Sequence, residues 1–215
     1  LENGEFTVFS PTETTVSKGD SVKWNNPIIH KQHKLYTKEY LKKHRGNIVT
    51  EASPTRIGDH IYVASGSGHV YGYNLKKDTI DWDFYIGSDM DGSPVVTQDG
   101  CLIVTVEKQY IKGNGGVFKL DPRKVPSEAV VWYYPTPNIG YAEWKGGVIG
   151  SAAINDQWAL NEKDKLVAIN SIDGHVYVVK QMQLEDTLVY GPNRKHKYNV
   201  PKFVFKSKVG PSIST

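Results

Sequence analysis

The chain has 215 residues, 39% of them hydrophobic, and a formal charge of +3 from 26 Lys and Arg against 23 Asp and Glu. That is enough apolar material for one large domain or two small ones, and it excludes a disordered chain. A single cysteine, Cys101, excludes an internal disulfide and a cysteine-rich zinc site, and no apolar run reaches the length of about 18 residues that spans a bilayer.

Thirteen Tyr, five Trp and 20 Gly against two Met favour strands and turns, because aromatic side chains suit a pleated surface. In chain order, residues 1–45 are expected to form a segment apart. "FTVFSPTETTVSKGDSVKWNN" reads as the last strands of a sheet unit preceding the rest, with Trp24 as its packing aromatic. The same stretch is similar to the opening strands of a cupredoxin. That reading fails on ligands, since a blue-copper site takes two His, a Cys and usually a Met, and Cys101 has no such neighbours in a ligand pattern.

Residues 31–45 and 193–208 hold twelve of the 26 Lys and Arg, with Glu39 their only acid. Solvated loops account for this. The sharper reading makes Lys42, Lys43 and Arg45 part of a surface for an anionic partner such as a polysaccharide, a lipid headgroup or nucleic acid. His30, His33 and His44 lie in the first basic segment with only Glu39 near them in sequence, and read as exposed loop histidines more than as metal ligands.

From Ala52 onward the chain repeats itself. "ASPTRIGDHIYVAS" (52–65), "GSPVVTQDGCLIVTV" (92–106) and "GSAAINDQ…KLVAIN" (150–170) each give a small residue, a Ser, a short strand, a polar turn and a second strand. A third strand follows each: "GHVYGYN" (68–74), "GGVFKLD" (115–121) and "GHVYVVK" (174–180), two of which share a tetrapeptide 106 residues apart. Both GHVY copies follow a turn and alternate like the second strand of a hairpin. An aromatic comes next in each copy, Trp82, Trp132 and Phe205, and the Trp82 to Gly87 and Phe205 to Gly210 spacings are equal. "GPSIST" (210–215) reads as the start of a fourth copy.

Four short strands in a unit of roughly fifty residues are the signature of a β-propeller blade. Residues 46–215 are therefore expected to form an all-β section of a propeller, with about three to four four-stranded blades. Trp82, Trp132 and Phe205 are expected to pack between blades, and the small residues opening each first strand to face a crowded central channel. Propellers close with about four to eight blades, so the chain is expected to be an excerpt of a longer propeller or one member of a ring completed by other chains.

The run "HVYGYNLKKDTIDWDFYIGSDMDGSPVV" resembles the repeat of the pyrroloquinoline-quinone-like (PQQ-like) propellers, and the likeness covers about residues 46–215. That family includes quinoprotein dehydrogenases and non-enzymatic scaffolds such as the lipoprotein of the outer-membrane β-barrel assembly machinery. The resemblance implies a periplasmic or extracellular setting. It also implies one of two functions: a cofactor-free scaffold binding a protein or polysaccharide through its end loops, or a fragment of an oxidoreductase using PQQ and calcium. The chain lacks the adjacent cysteines common in such enzymes, and their calcium acids do not map onto it residue by residue, which favours the scaffold.

Individual motifs add little catalytic signal. Asp89, Asp91 and Ser93 take the first, third and fifth places of a calcium loop, but Pro94 and Gly100 then break the pattern, so these side chains are expected to cap a turn and no metal is assigned. "KGNGGVF" (112–118) lacks the Lys-Ser/Thr of a phosphate loop and reads as a turn, and no spacing suggests a nucleophile and base, so no catalytic residue is assigned. The insertion Tyr133–Gly147 is rich in aromatics. Tyr133, Tyr134, Tyr141 and Trp144 either cover a blade edge or form a recognition loop stiffened by proline.

Overall fold

The computed structural model describes residues 49–213 in full, with Lys38 and Lys42 and the backbone of residues 5–16 and 25–34. Strands β1 (Glu5–Val16) and β2 (Asn25–Lys34) pair antiparallel as a two-stranded sheet. Trp24, Lys43, His44 and Arg45 and the side chains of His30 and His33 lie outside the described residues. Lys42 is helical and exposed.

Three antiparallel four-stranded sheets follow. Blade 1 is β3 (Thr55–Ile57), β4 (His60–Ala64), β5 (His69–Asn74) and β6 (Thr79–Tyr85). Blade 2 is β7 (Val95–Val96), β8 (Leu102–Val106), β9 (Gly116–Leu120) and β10 (Val130–Pro135). Blade 3 is β11 (Ala153–Ile154), β12 (Leu166–Asn170), β13 (His175–Tyr190) and β14 (Lys197–Lys208). Each is a meander in chain order, as a propeller blade requires. Residues 209–213 are irregular, so the first strand expected for a fourth copy does not form among the described residues.

Stacking the blades buries both faces of the middle one. Trp132 and Tyr134 on β10 face blade 3 in a cluster with Val167, Ile169, Tyr177 and Val179, while Tyr133 between them faces blade 1 with Trp82, Phe84 and Phe118. This alternation explains why β8 and β9 are buried on both sides.

The repeated glycine of GHVY has a backbone role. Gly68 and Gly174 both have positive φ (85° and 89°), and a Cβ on Gly68 would lie 2.7 Å from Gly87 Cα. The Gly68 carbonyl accepts from the N–H groups of Ile86 and Gly87, and Gly174 accepts from Val209 and Gly210 in the same way. The repeated serines link the blades. Ser53 N–H donates to Ser93 Oγ (2.8 Å) and Ser93 N–H to Ser151 Oγ (2.9 Å), a ladder linking the segments just ahead of all three first strands.

The aromatics occupy one register position. Trp82 pairs across from Gly72, Trp132 from Lys119 and Phe205 from Val178, which are equivalent places in the three blades. Trp82 Nε1 donates to Lys124 O (2.9 Å) in blade 2, and Trp132 Nε1 donates to Gln181 O (2.9 Å) in blade 3. Both rings are buried where two blades meet. Phe205 is the correction: it holds the wedge position but stands 50% exposed on β14 beside exposed Phe203, because no blade follows it among the described residues.

Strands β13 and β14 run far beyond their blade. Register shifts between Val178 and Leu188 bend the hairpin, and its outer half lies back along β10 of blade 2. Tyr198 packs edge-on to Phe118 (5.9 Å) and Tyr133 (6.5 Å), Asn193 Nδ2 donates to Ile86 O (2.8 Å), and Gly113 N–H donates to Pro192 O (2.7 Å). The arm thus ties blade 3 to both others. Tyr198→Ala is expected to cost about 2 kcal/mol, less than a fully buried aromatic because Tyr198 is half-buried. Urea unfolding measures the loss, and amide exchange should speed up in 184–201 more than in 203–208.

Candidate functional site

One end of the stack carries the β4–β5, β8–β9 and β12–β13 connections and the crossings between blades. The β8–β9 connection is longer than its counterparts: residues 107–115 against 65–68 and 171–174. It is pinned at its start. Ser88 Oγ donates to Glu107 O and accepts from Gln109 N–H (3.1 Å), and Glu107 N–H donates to Asp89 O (3.1 Å). From the other side Lys108 N–H donates to Gly146 O (2.9 Å) and Val148 N–H to Val106 O (3.0 Å).

This framework brings three carboxylates together. One oxygen each of Asp89, Asp91 and Glu107 lies within 4.8 Å of the others, and among the described residues this is the one group of His, Cys, Asp and Glu placed to hold a metal ion. Asp89 and Glu107 are buried. Burial is the main cause that raises all three carboxyl groups above the usual carboxylate range. Asp91 and Glu107 add repulsion at Asp89, Glu51 adds it at Asp91, and Asp91 adds it at Glu107, where Gln109 and Lys145 partly oppose it. Glu107 reaches about 7. Asp89 also caps its own turn, accepting from Met90 N–H (3.0 Å), as expected.

The opposite end carries the β7–β8 and β11–β12 connections. A groove of about 550 Å³ between blades 2 and 3 is lined by Val96, Gln98, Ile154, Asp156 and Trp158. Asp156 joins its walls, accepting from Gln98 N–H (2.6 Å) and from Gln181 Nε2 (2.7 Å). Beside it Trp158 is 76% exposed and Leu160 is 91% exposed.

The BamB protein of Moraxella catarrhalis matches this structure with a TM-score of 0.52 at 14% identity, over 98% of this chain and 52% of its own. The quinohemoprotein alcohol dehydrogenase ADHIIG of Pseudomonas putida HK5 matches with a TM-score of 0.58 at 10% identity, over 97% of this chain and 33% of its own. The fold is that of the PQQ-like β-propellers. No family profile and no curated protein matches the chain. The chain therefore spans about half of one PQQ-like propeller protein and a third of the other. No helix among the described residues is long and apolar enough to cross a membrane.

Within this propeller section the aromatics of the insertion take different environments. Tyr133 is a correction: it is fully buried, stacked on Phe118 (4.4 Å) with its hydroxyl donating to Asn114 O (2.5 Å), because β10 continues through Pro135. Tyr134 is half-buried against Tyr177 (5.9 Å). Tyr141 is exposed and pairs with partly buried Trp144 through a tight turn, Tyr141 N–H donating to Trp144 O (2.9 Å). Arg194, Lys195 and Lys197 lie exposed at the tip of the β13–β14 arm. Glu107, Trp158 and Leu160 were not legible as site residues. The acid pair Asp89 and Asp91 was a usable signal, but its third member sits on another element.

Proposed function

We propose that this chain is a section of a non-catalytic propeller scaffold that holds a protein partner through its end loops, in a periplasmic or extracellular setting. The observation that carries this reading is the β11–β12 connection, where Trp158 and Leu160 stand in solvent on a backbone that is already fixed. Trp158 and Ala159 N–H groups both donate to Asn155 O (2.9 and 3.0 Å), Asn155 Nδ2 donates to Asp164 O (3.1 Å), and Leu166 N–H donates to Asn155 Oδ1 (2.7 Å). An exposed Trp on a preordered loop offers a large apolar contact at low entropic cost, which is the character of an interface anchor. The fold itself does not choose between scaffold and enzyme, since function resides in the site.

The test places a photo-crosslinking residue at Leu160 and exposes the chain to an envelope extract of the source organism. A discrete protein adduct is expected, competed by excess unmodified chain and not by the Trp158→Ala/Leu160→Ala variant. Equal competition by the variant overturns the docking site. Saturable dye reduction on adding PQQ and calcium overturns the non-catalytic reading.

A further inference from the structure

We propose that Asp89, Asp91 and Glu107 form a binding site for a hard divalent cation, calcium, where blade 1 crosses to blade 2. The donor set is oxygen only, which suits calcium or magnesium and not a softer metal. Two buried oxygens without partners, one on an acid and one on a neighbouring hydroxyl, point to a ligand. Glu107 is 1% exposed, and its Oε1 has no hydrogen-bond partner among the described residues. Thr105, two residues earlier on β8 and 2% exposed, also has an unpartnered hydroxyl, and it points at the loop that carries the acids: a side chain at Gly92, next to Asp91, would collide with Thr105 Oγ1. Buried acceptors without donors cost free energy that a bound cation recovers.

Coordination chemistry favours calcium. It accepts about six to eight oxygens in flexible geometry, whereas magnesium demands a near-ideal octahedron, gives up its waters reluctantly and is rarely held by an all-protein cage. The three donors lie close enough together to share one ion, all within 4.8 Å of one another. The framework that holds them is rigid: Ser88 and Asp89 fix the end of β8 through the bonds to Glu107 and Gln109. The acids come from one blade and its entry loop, and the site stands apart from the Trp158 end of the stack.

The experiment uses the full chain, stripped with EDTA, and titrates calcium chloride alone by calorimetry, with magnesium chloride and terbium luminescence as further arms. One saturable calcium site is expected, with magnesium at least tenfold weaker and a calcium-dependent rise in melting temperature. Glu107→Gln, which keeps shape and removes a buried charge, should retain its circular dichroism spectrum and lose at least tenfold in calcium affinity. Asp91→Asn is the second variant and should do the same. Absence of saturable binding at millimolar calcium, or binding unchanged in both folded variants, overturns the proposal.

Discussion

Replacing Trp132 with Ala is expected to lower the unfolding free energy by about 3–5 kcal/mol, the cost of truncating a fully buried large aromatic. Its ring fills the seam between blades 2 and 3 and its Nε1 is bonded to Gln181 O. Trp82→Ala should cost a similar amount at the seam between blades 1 and 2, where Trp82 stacks with Phe84 (6.2 Å) and meets Tyr62 edge-on (5.7 Å). Phe205→Ala, at the same register position but half exposed, should stay within about 0.5 kcal/mol. Trp144→Ala in the insertion should cost no more than about 1 kcal/mol, because Trp144 is only partly buried and outside both blade seams. Trp132→Phe separates ring from bond: it keeps most of the packing and leaves Gln181 O without its donor, at about 1 kcal/mol. Guanidinium unfolding by linear extrapolation measures the set. A Phe205→Ala loss equal to that of Trp132→Ala would show that the wedge position is stabilising without a neighbouring blade, contrary to the packing described.

In EDTA, stability is expected to fall as pH rises from about 5 to about 8. The sign follows from linkage. The folded-state pKa values of Asp89, Asp91 and Glu107 are raised above their unfolded values, so the protonated forms favour the fold. Their contribution is fully present below about pH 4 and is lost as pH rises through the folded values, which for Glu107 is about 7. A shift of that size is on the order of 3 kcal/mol for Glu107 alone. Glu51 near Asp91 sharpens the effect and Lys145 near Glu107 blunts it. Urea midpoints between pH 5 and pH 9 give the profile, and Glu107→Gln should flatten it. A profile that is level or rises over that window would mean that the cluster opens to solvent.

Much of this architecture is written locally. Turn glycines, strand alternation and one aromatic per unit recur in the chain because each blade must solve the same problem, exposing two faces that only its neighbours can cover. The serines that opened each copy were visible in the same way, and the structure joins them in a ladder through Ser53, Ser93 and Ser151. What remained hidden depends on contacts between distant segments. Tyr133 looked like part of an insertion, yet strand β10 carries it inward, and only the neighbour on each side decides which face of that strand is buried. Trp158 had no periodic neighbour to mark it as exposed. The meeting of Glu107 with Asp89 and Asp91 arises because the end of β8 is pinned to the loop that enters its blade, a long-range closure that neither segment encodes alone. The sequence by itself determined the period, the blade strands and the wedge positions, since these follow from turn chemistry and side-chain alternation. Tertiary packing alone decided which wedges are buried, where the β13–β14 arm lies and which acids converge, because those depend on what each blade is stacked against.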